Sequence, residues 1–179
     1  MTSIVWLIAM EIDINKIRKQ SKEKEDENWE FRSFLKGCGI PTGELDSLVH
    51  RLYQKVSSEI DCKKCANCCK EVPPILDKDD IEKFSKSLGI SNVQFKEKFL
   101  VEDKEANGFI FNKKPCPFLK NNLCSHYPNR PKGCISYPHL HKSGFVFRLM
   151  DVIHNCSVCP IAFNVYEFLK DEINFKCVE

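Results

Sequence analysis

Cys62-Lys63-Lys64-Cys65-Ala66-Asn67-Cys68-Cys69 places four cysteines inside eight residues, and the rest of the chain is read outward from this stretch. Thiolates packed this densely repel one another, and free thiols packed this densely invite oxidation. A bound cation answers both problems, and an iron–sulfur cluster or zinc is the expected one. The spacing Cys62-x2-Cys65-x2-Cys68 puts three thiolates in one tight loop, the arrangement that grips three irons of a [4Fe–4S] cube. Side chains of consecutive residues in an extended segment point to opposite faces. Cys68 and Cys69 are therefore expected to diverge: they face two metals, or one is a ligand and the other packs as a small hydrophobe.

The chain has 11 cysteines, at 38, 62, 65, 68, 69, 116, 124, 134, 156, 159 and 177. An extracellular disulfide framework fits this poorly, since such chains are short and the count here is odd. A reducing, cytoplasmic compartment is expected. The first run is similar to that of bacterial ferredoxins, whose fourth cysteine arrives from elsewhere and is followed by proline. Cys116-Pro117 and Cys159-Pro160 are both candidates. Zinc would more naturally use two separated C-x2-C knuckles, which Cys62/Cys65 and Cys156/Cys159 could supply. Spacing favours iron–sulfur over zinc and leaves both open, as it leaves open one centre or two.

A chain of 179 residues with 42% hydrophobic content can bury one respectable core. Its net charge of +2 advertises neither nucleic acid nor an anionic membrane as a partner. No C-x3-C-x2-C run and no glycine-rich fingerprint after a strand is present. The apolar run Ile4–Met10 is far shorter than the roughly 20 residues that span a bilayer, and it lacks a basic flank and a small-residue cleavage site. Met10-Glu11-Ile12-Asp13 reads like a protein start, so initiation at Met10 is expected, with residues 1–9 otherwise a short core strand or an exposed tail.

Periodicity predicts a mainly α fold with a few short strands, its helices packed around cysteine-bearing loops. Residues 14–36 read as a charged, solvated helical segment. Leu45, Leu48, Val49, Leu52, Val56 and Ile60 follow helical spacing behind a Thr42 cap and lead directly into Cys62. Asp77 caps a helix over 78–88 that stops at Gly89, and Ser91-x-x-Gln94 is a capping box for the next. Gly108–Phe111 reads as a strand, and Phe118-Leu119 with Leu123-Cys124 as a small hairpin. Three prolines keep 125–141 irregular, Phe145–Leu149 alternates like a strand, and Ile161–Ile173 closes the chain as a helix. The expected division is an N-terminal extension with its charged helix over 1–41, then a cysteine-cluster metal-binding domain over 42–179.

Taken in order, C-x2-C-x2-C-C at 62–69, Cys116-x-Phe118-Leu119, Cys124-x2-Tyr127-x2-Arg130-Pro131-x2-Cys134-x3-Pro138 and Cys156-x2-Cys159 form an unusual series. The series resembles the zinc- or iron-chelating cysteine-cluster (CxxCxxCC, YkgJ-like) family over roughly residues 60–170. More distantly it is similar to the flagellin lysine N-methylase group, which raises methyl transfer. The resemblance implies a metal centre drawn from Cys62, Cys65, Cys68, Cys69, Cys116, Cys124, Cys134, Cys156 and Cys159, and some members are described as Fe–S oxidoreductase-like. Cys38 and Cys177 fall outside it and read as ordinary residues.

Among other candidates, Arg130 could donate to cluster sulfurs or bind an anion, though pinning loop carbonyls is the commoner role of such an arginine. Tyr127 beside it reads more simply as a packed ring. Lys63, Lys64 and Lys70 would stabilise nearby thiolates. His139-x-His141 and His154 are secondary ligand candidates. The functional expectation is a metal-binding protein, holding a [4Fe–4S] cluster in a redox or electron-transfer role with a redox or other protein partner. A zinc-stapled interaction module and a cluster-dependent methyltransferase are the alternatives.

Overall fold

The computed structural model describes residues 10–176, so the apolar run at 4–9 and Cys177 lie outside the described residues. It is mainly helical with two small antiparallel strand pairs, as periodicity indicates. The chain divides into two compact units, residues 1–60 with 142–179 and residues 61–141.

In the first unit, α1 (Ile14–Glu23) and α2 (Glu25–Gly37) split the charged segment at Lys24, and α3 (Thr42–Glu59) follows. Pro41, not Thr42, is the N-cap of α3, and no side chain caps it. After residue 142 come a 3₁₀ turn (Phe145–Arg148), α9 (Leu149–Cys156) and α10 (Pro160–Glu172). From Pro160 to Lys170 every residue of α10 but Glu167 is buried, so this helix is wrapped on nearly all sides. Val49, Leu52 and Val56 of α3 share that core with Ile17, Phe31, Val165 and Leu169.

Lys170 is the anomaly on α10, an ammonium with a side chain only 6% exposed. Glu27 at 2.8 Å, Asn28 Oδ1 at 2.7 Å and Glu167 at 2.7 Å accept its three protons, and Lys24 pairs with the same Glu167. Each donor is used, which is the condition for keeping such a charge out of water.

The strand expected over Phe145–Leu149 is a 3₁₀ turn running into α9. Buried Asp46 accepts the N–H groups of Gly144 (2.7 Å) and Phe145 (2.8 Å) with its two carboxylate oxygens. Those amides are no longer available to a strand neighbour, and Gly144 at φ 76° turns the chain. Burial follows the turn rather than a strand: Phe145 and Leu149, four residues apart, are inside, and Phe147 is 81% exposed.

The second unit opens with two helical turns, α4 (Cys62–Cys65) and α5 (Asn67–Glu71). Helix α6 (Lys78–Leu88) is capped by Asp77 as expected, closed into a box by Asp80, and ends at Gly89 in the left-handed region, and α7 (Asn92–Phe99) starts with the expected capping box. β1 (Leu100–Asp103) pairs with β2 (Gly108–Phe111), and β3 (Leu119–Lys120) with β4 (Leu123–Cys124). The second hairpin turns on Asn121 and Asn122, both at positive φ, as a two-residue turn of this hand requires. A 3₁₀ turn (Tyr127–Asn129) and α8 (Lys132–Ser136) follow within 125–141.

The core of this unit is aromatic. Phe84 has Phe118 at 4.6 Å, Phe95 at 5.3 Å and Phe111 at 5.9 Å between ring centroids, and Leu76, Ile81 and Leu100 complete the cluster. Cys116 and Cys124 pack against it, so the aromatic core backs two of the thiols.

Two substitutions test these cores. Phe84→Ala should destabilise the protein by about 3–5 kcal/mol, because rings packed on several sides cannot collapse into the cavity. Lys170→Met should cost a similar ~3–5 kcal/mol by leaving Glu27 and Asn28 without their donor and Glu167 with Lys24 alone. Urea unfolding of each variant measures both, and a loss below about 1 kcal/mol would contradict the packing described.

Candidate metal centre

Seven of the sequence-predicted cysteines lie in the second unit: Cys62, Cys65, Cys68, Cys69, Cys116, Cys124 and Cys134. Asp61 caps α4 by accepting the Lys63 N–H at 2.9 Å, so Cys62 and Cys65 sit on one short helical turn. Ala66 then takes φ 50°, a left-handed conformation that costs a non-glycine residue about 1–2 kcal/mol. It ends α4 by donating to the Cys62 carbonyl (3.0 Å), and its own carbonyl accepts from the Cys69 N–H (3.1 Å).

The reversal at Ala66 starts a new turn, and this changes the reading of the vicinal pair. Cys68 and Cys69 are helical, not extended, so their side chains are about 100° apart around the axis instead of opposed. The Cys68 thiol donates to the Cys69 sulfur. Divergence was the wrong expectation, because it assumed an extended backbone that the left-handed alanine prevents.

The remote cysteines arrive on separate supports. The Cys116 N–H donates to the Cys69 carbonyl at 2.9 Å, which stitches the second cysteine block to the first. Cys124 ends β4, held by the hairpin and by the Ser125 N–H bonded to the Phe118 carbonyl (2.8 Å). Cys134 rides on α8.

Electrostatics show which sulfurs feel one another. Burial pushes Cys116 up to about 11, with Cys69 and Cys124 adding their repulsion. Burial pushes Cys134 up to about 12, reinforced by Cys69, Cys116 and Cys124. Cys124 is raised by burial and then by Cys69. Cys62, the exposed member, is raised by partial desolvation, then by Cys65 and Asp61. Cys69 goes the other way, down to about 7, because the Cys68 thiol bonds to its sulfur and Arg130 and Lys70 outweigh its partial burial.

Arg130 is the common cation of the set, favouring the thiolates of Cys62, Cys69, Cys124 and Cys134. Its Nε donates to the Tyr127 carbonyl at 3.1 Å, and its guanidinium carbon lies 3.5 Å from the Tyr127 ring centroid. Lys63 Nζ sits 5.1 Å from the same ring. Tyr127 is therefore a platform for two cations beside the thiols.

Cys156 and Cys159 belong to the first unit, where both are buried. The Cys156 thiol faces the Ala162 carbonyl at 3.7 Å and is held protonated by burial, then by Glu167. Cys159 is the N-cap of α10. His154 is exposed on α9, and His139, at φ 64°, shares a 2.7 Å hydrogen bond between its Nδ1 and Ser136 Oγ.

As they stand, the described residues form no group of three or more His, Cys, Asp or Glu side chains that could hold a metal ion. The donor set nevertheless suits one. Cys116, Cys124 and Cys134 each resist ionisation, first by burial and then through the nearby Cys69 sulfur, and a cation shared with Cys69 removes that opposition. All-sulfur donors select zinc or iron–sulfur clusters rather than hard cations. Sequence reasoning missed Asp80, which accepts the Lys132 N–H beside Cys134. Its only sequence signal is a place in a capping box.

Residues 61–160, more than half the chain, match the CxxCxxCC family model, described as "Putative zinc- or iron-chelating domain". The family match starts where the second unit starts and runs past its end to include Cys156 and Cys159. Neither a search of curated proteins nor one of solved structures returned a match.

In reduced, metal-free protein near neutral pH, iodoacetamide should modify Cys69 at least about tenfold faster than Cys116 or Cys134, since only the thiolate reacts. Peptide mass spectrometry reads each site. Equal rates at the three would overturn the electrostatic order.

Proposed function

This chain belongs to the CxxCxxCC zinc- or iron-chelating family, and from that premise we propose that residues 61–141 hold an iron–sulfur centre serving a redox or electron-transfer role. Cys62, Cys65 and Cys68 would hold it from the first motif, completed by one of Cys69, Cys116, Cys124 and Cys134. The observation that carries the reading is the Cys69–Cys116 backbone bond together with the electrostatic influence of Cys69 on Cys116, Cys124 and Cys134, which puts three remote sulfurs within reach of the C-x2-C-x2-C-C run. When bound, such a cluster supplies one-electron chemistry at a potential set by its surroundings.

The chain's own residues supply those surroundings. Arg130, fixed on the Tyr127 ring and carbonyl, offsets thiolate charge and is the candidate donor to cluster sulfurs. Lys70 adds positive charge at Cys69. Phe84, Phe118 and their neighbours back Cys116 and Cys124 with an apolar wall that limits water.

One observation favours zinc as a second reading. The quartet Cys69, Cys116, Cys124 and Cys134 is itself a four-thiolate set brought in from separate segments, the donor count of a closed structural zinc site. Zinc there would staple loops and leave the protein a binding module rather than a redox one.

Anaerobic purification with iron, acid-labile sulfide and zinc analysis decides between them. A brown protein carrying iron and sulfide in equal amounts is expected, bleached by Cys65→Ser. A colourless protein with stoichiometric zinc, retained in Cys65→Ser and lost in Cys134→Ser, would replace the first reading with the second. Metal removal should loosen 62–71 and 124–136 while the aromatic cluster persists, read as hydrogen exchange confined to those segments.

A further inference from the structure

We propose that Asp80 is a positioning residue for the metal centre, holding Cys134 in place through the backbone of Lys132; the inference rests on the metal-centre reading above. Helix α8 has only five residues, too few to be stable by its own hydrogen bonds. Its N-cap is Pro131, which has no side-chain acceptor, so the first amide of the helix is an orphan unless something distant accepts it. Asp80, 52 positions earlier, does so: its Oδ1 accepts the Lys132 N–H at 2.9 Å.

The carboxylate is itself fixed. Asp80 is 4% exposed, and its Oδ2 accepts the Asp77 N–H at 3.4 Å within the capping box of α6. Helix α6 is in turn anchored by Ile81 and Phe84 in the aromatic core. A continuous path therefore runs from that core through α6 and one carboxylate to an amide two residues before Cys134.

Lys132 also places its Nζ 2.8 Å from both Asp77 and Asp79, but all three side chains are more than half exposed. Exposed pairs contribute little, so the backbone bond to the buried Asp80 carboxylate, not the surface charges, holds α8. This separates the roles of two neighbours that otherwise look like one ionic cluster. Removing the Lys132 charge should leave Cys134 where it is, and removing the Asp80 acceptor should free it.

The test uses the full chain, reduced and metal-free, with iodoacetamide footprinting of every cysteine in Asp80→Ala, Asp80→Asn and Lys132→Met. Asp80→Ala should raise Cys134 labelling about tenfold without changing Cys156, which reports unfolding of the other unit. Asp80→Asn keeps one acceptor oxygen and should fall between it and the parent, which preserves the comparison if the alanine variant folds poorly. Lys132→Met should stay within about twofold of the parent.

Zinc affinity, measured by chelator competition, should fall in Asp80→Ala and hold in Lys132→Met. Unchanged Cys134 labelling, a parallel rise at Cys156, or unaltered zinc affinity in a variant whose Cys134 is freed would each overturn the proposal. A parent protein that binds neither zinc nor iron would sink the metal-centre reading, while the Cys134 footprint would still report whether the clamp exists.

Discussion

Sulfurs brought close together oppose one another's ionisation, and the arrangement of residues 61–141 answers to that opposition at each step. Cys116, Cys124 and Cys134 are each pushed toward the neutral thiol by burial and then by neighbouring sulfurs. Only Cys69, with the Cys68 thiol bonded to it and two cations near, is drawn toward the thiolate. Without a cation Cys116, Cys124 and Cys134 stay largely protonated, and a cation that accepts several thiolates would displace the protons and turn mutual repulsion into common attraction.

The scaffold separates this problem from the ordinary one of making a core. Phe84, Phe95, Phe111 and Phe118 form an apolar cluster that needs no metal, and the cysteines are attached around it through short, locally capped pieces. Asp61 caps the first turn, the Asn121-Asn122 turn sets the hairpin ending at Cys124, and Asp80 supplies the amide acceptor that Pro131 lacks. None of these pieces is long enough to be stable alone, so their order is borrowed from the core they touch.

Arg130 shows why a single motif residue can carry several roles. A guanidinium stacked on Tyr127 and bonded to its carbonyl has lost most of its freedom, so its charge stays where four thiols feel it. The same side chain thus pins a loop and sets the local field. Pinning loop carbonyls and setting the field at the thiols are not rivals at this position, because the first fixes the geometry that the second requires.

Much of the fold was legible without coordinates. The cap at Asp77, the capping box at Ser91, the stop at Gly89, the small hairpin and the apolar face of α3 follow from local rules acting over a few residues. The family itself was legible for the same reason, since cysteine spacing is a local property. Where the reading failed, a distant partner or a backbone reversal had intervened. Asp46 takes the amides of Gly144 and Phe145 and makes a turn of an apparent strand, and Ala66 enters the left-handed region and brings Cys68 onto Cys69. Sequence alone determined that these thiols need a cation. Tertiary structure alone decided which sulfurs face one another and which amide Asp80 holds, because both depend on groups some 50 residues apart in the chain meeting in space.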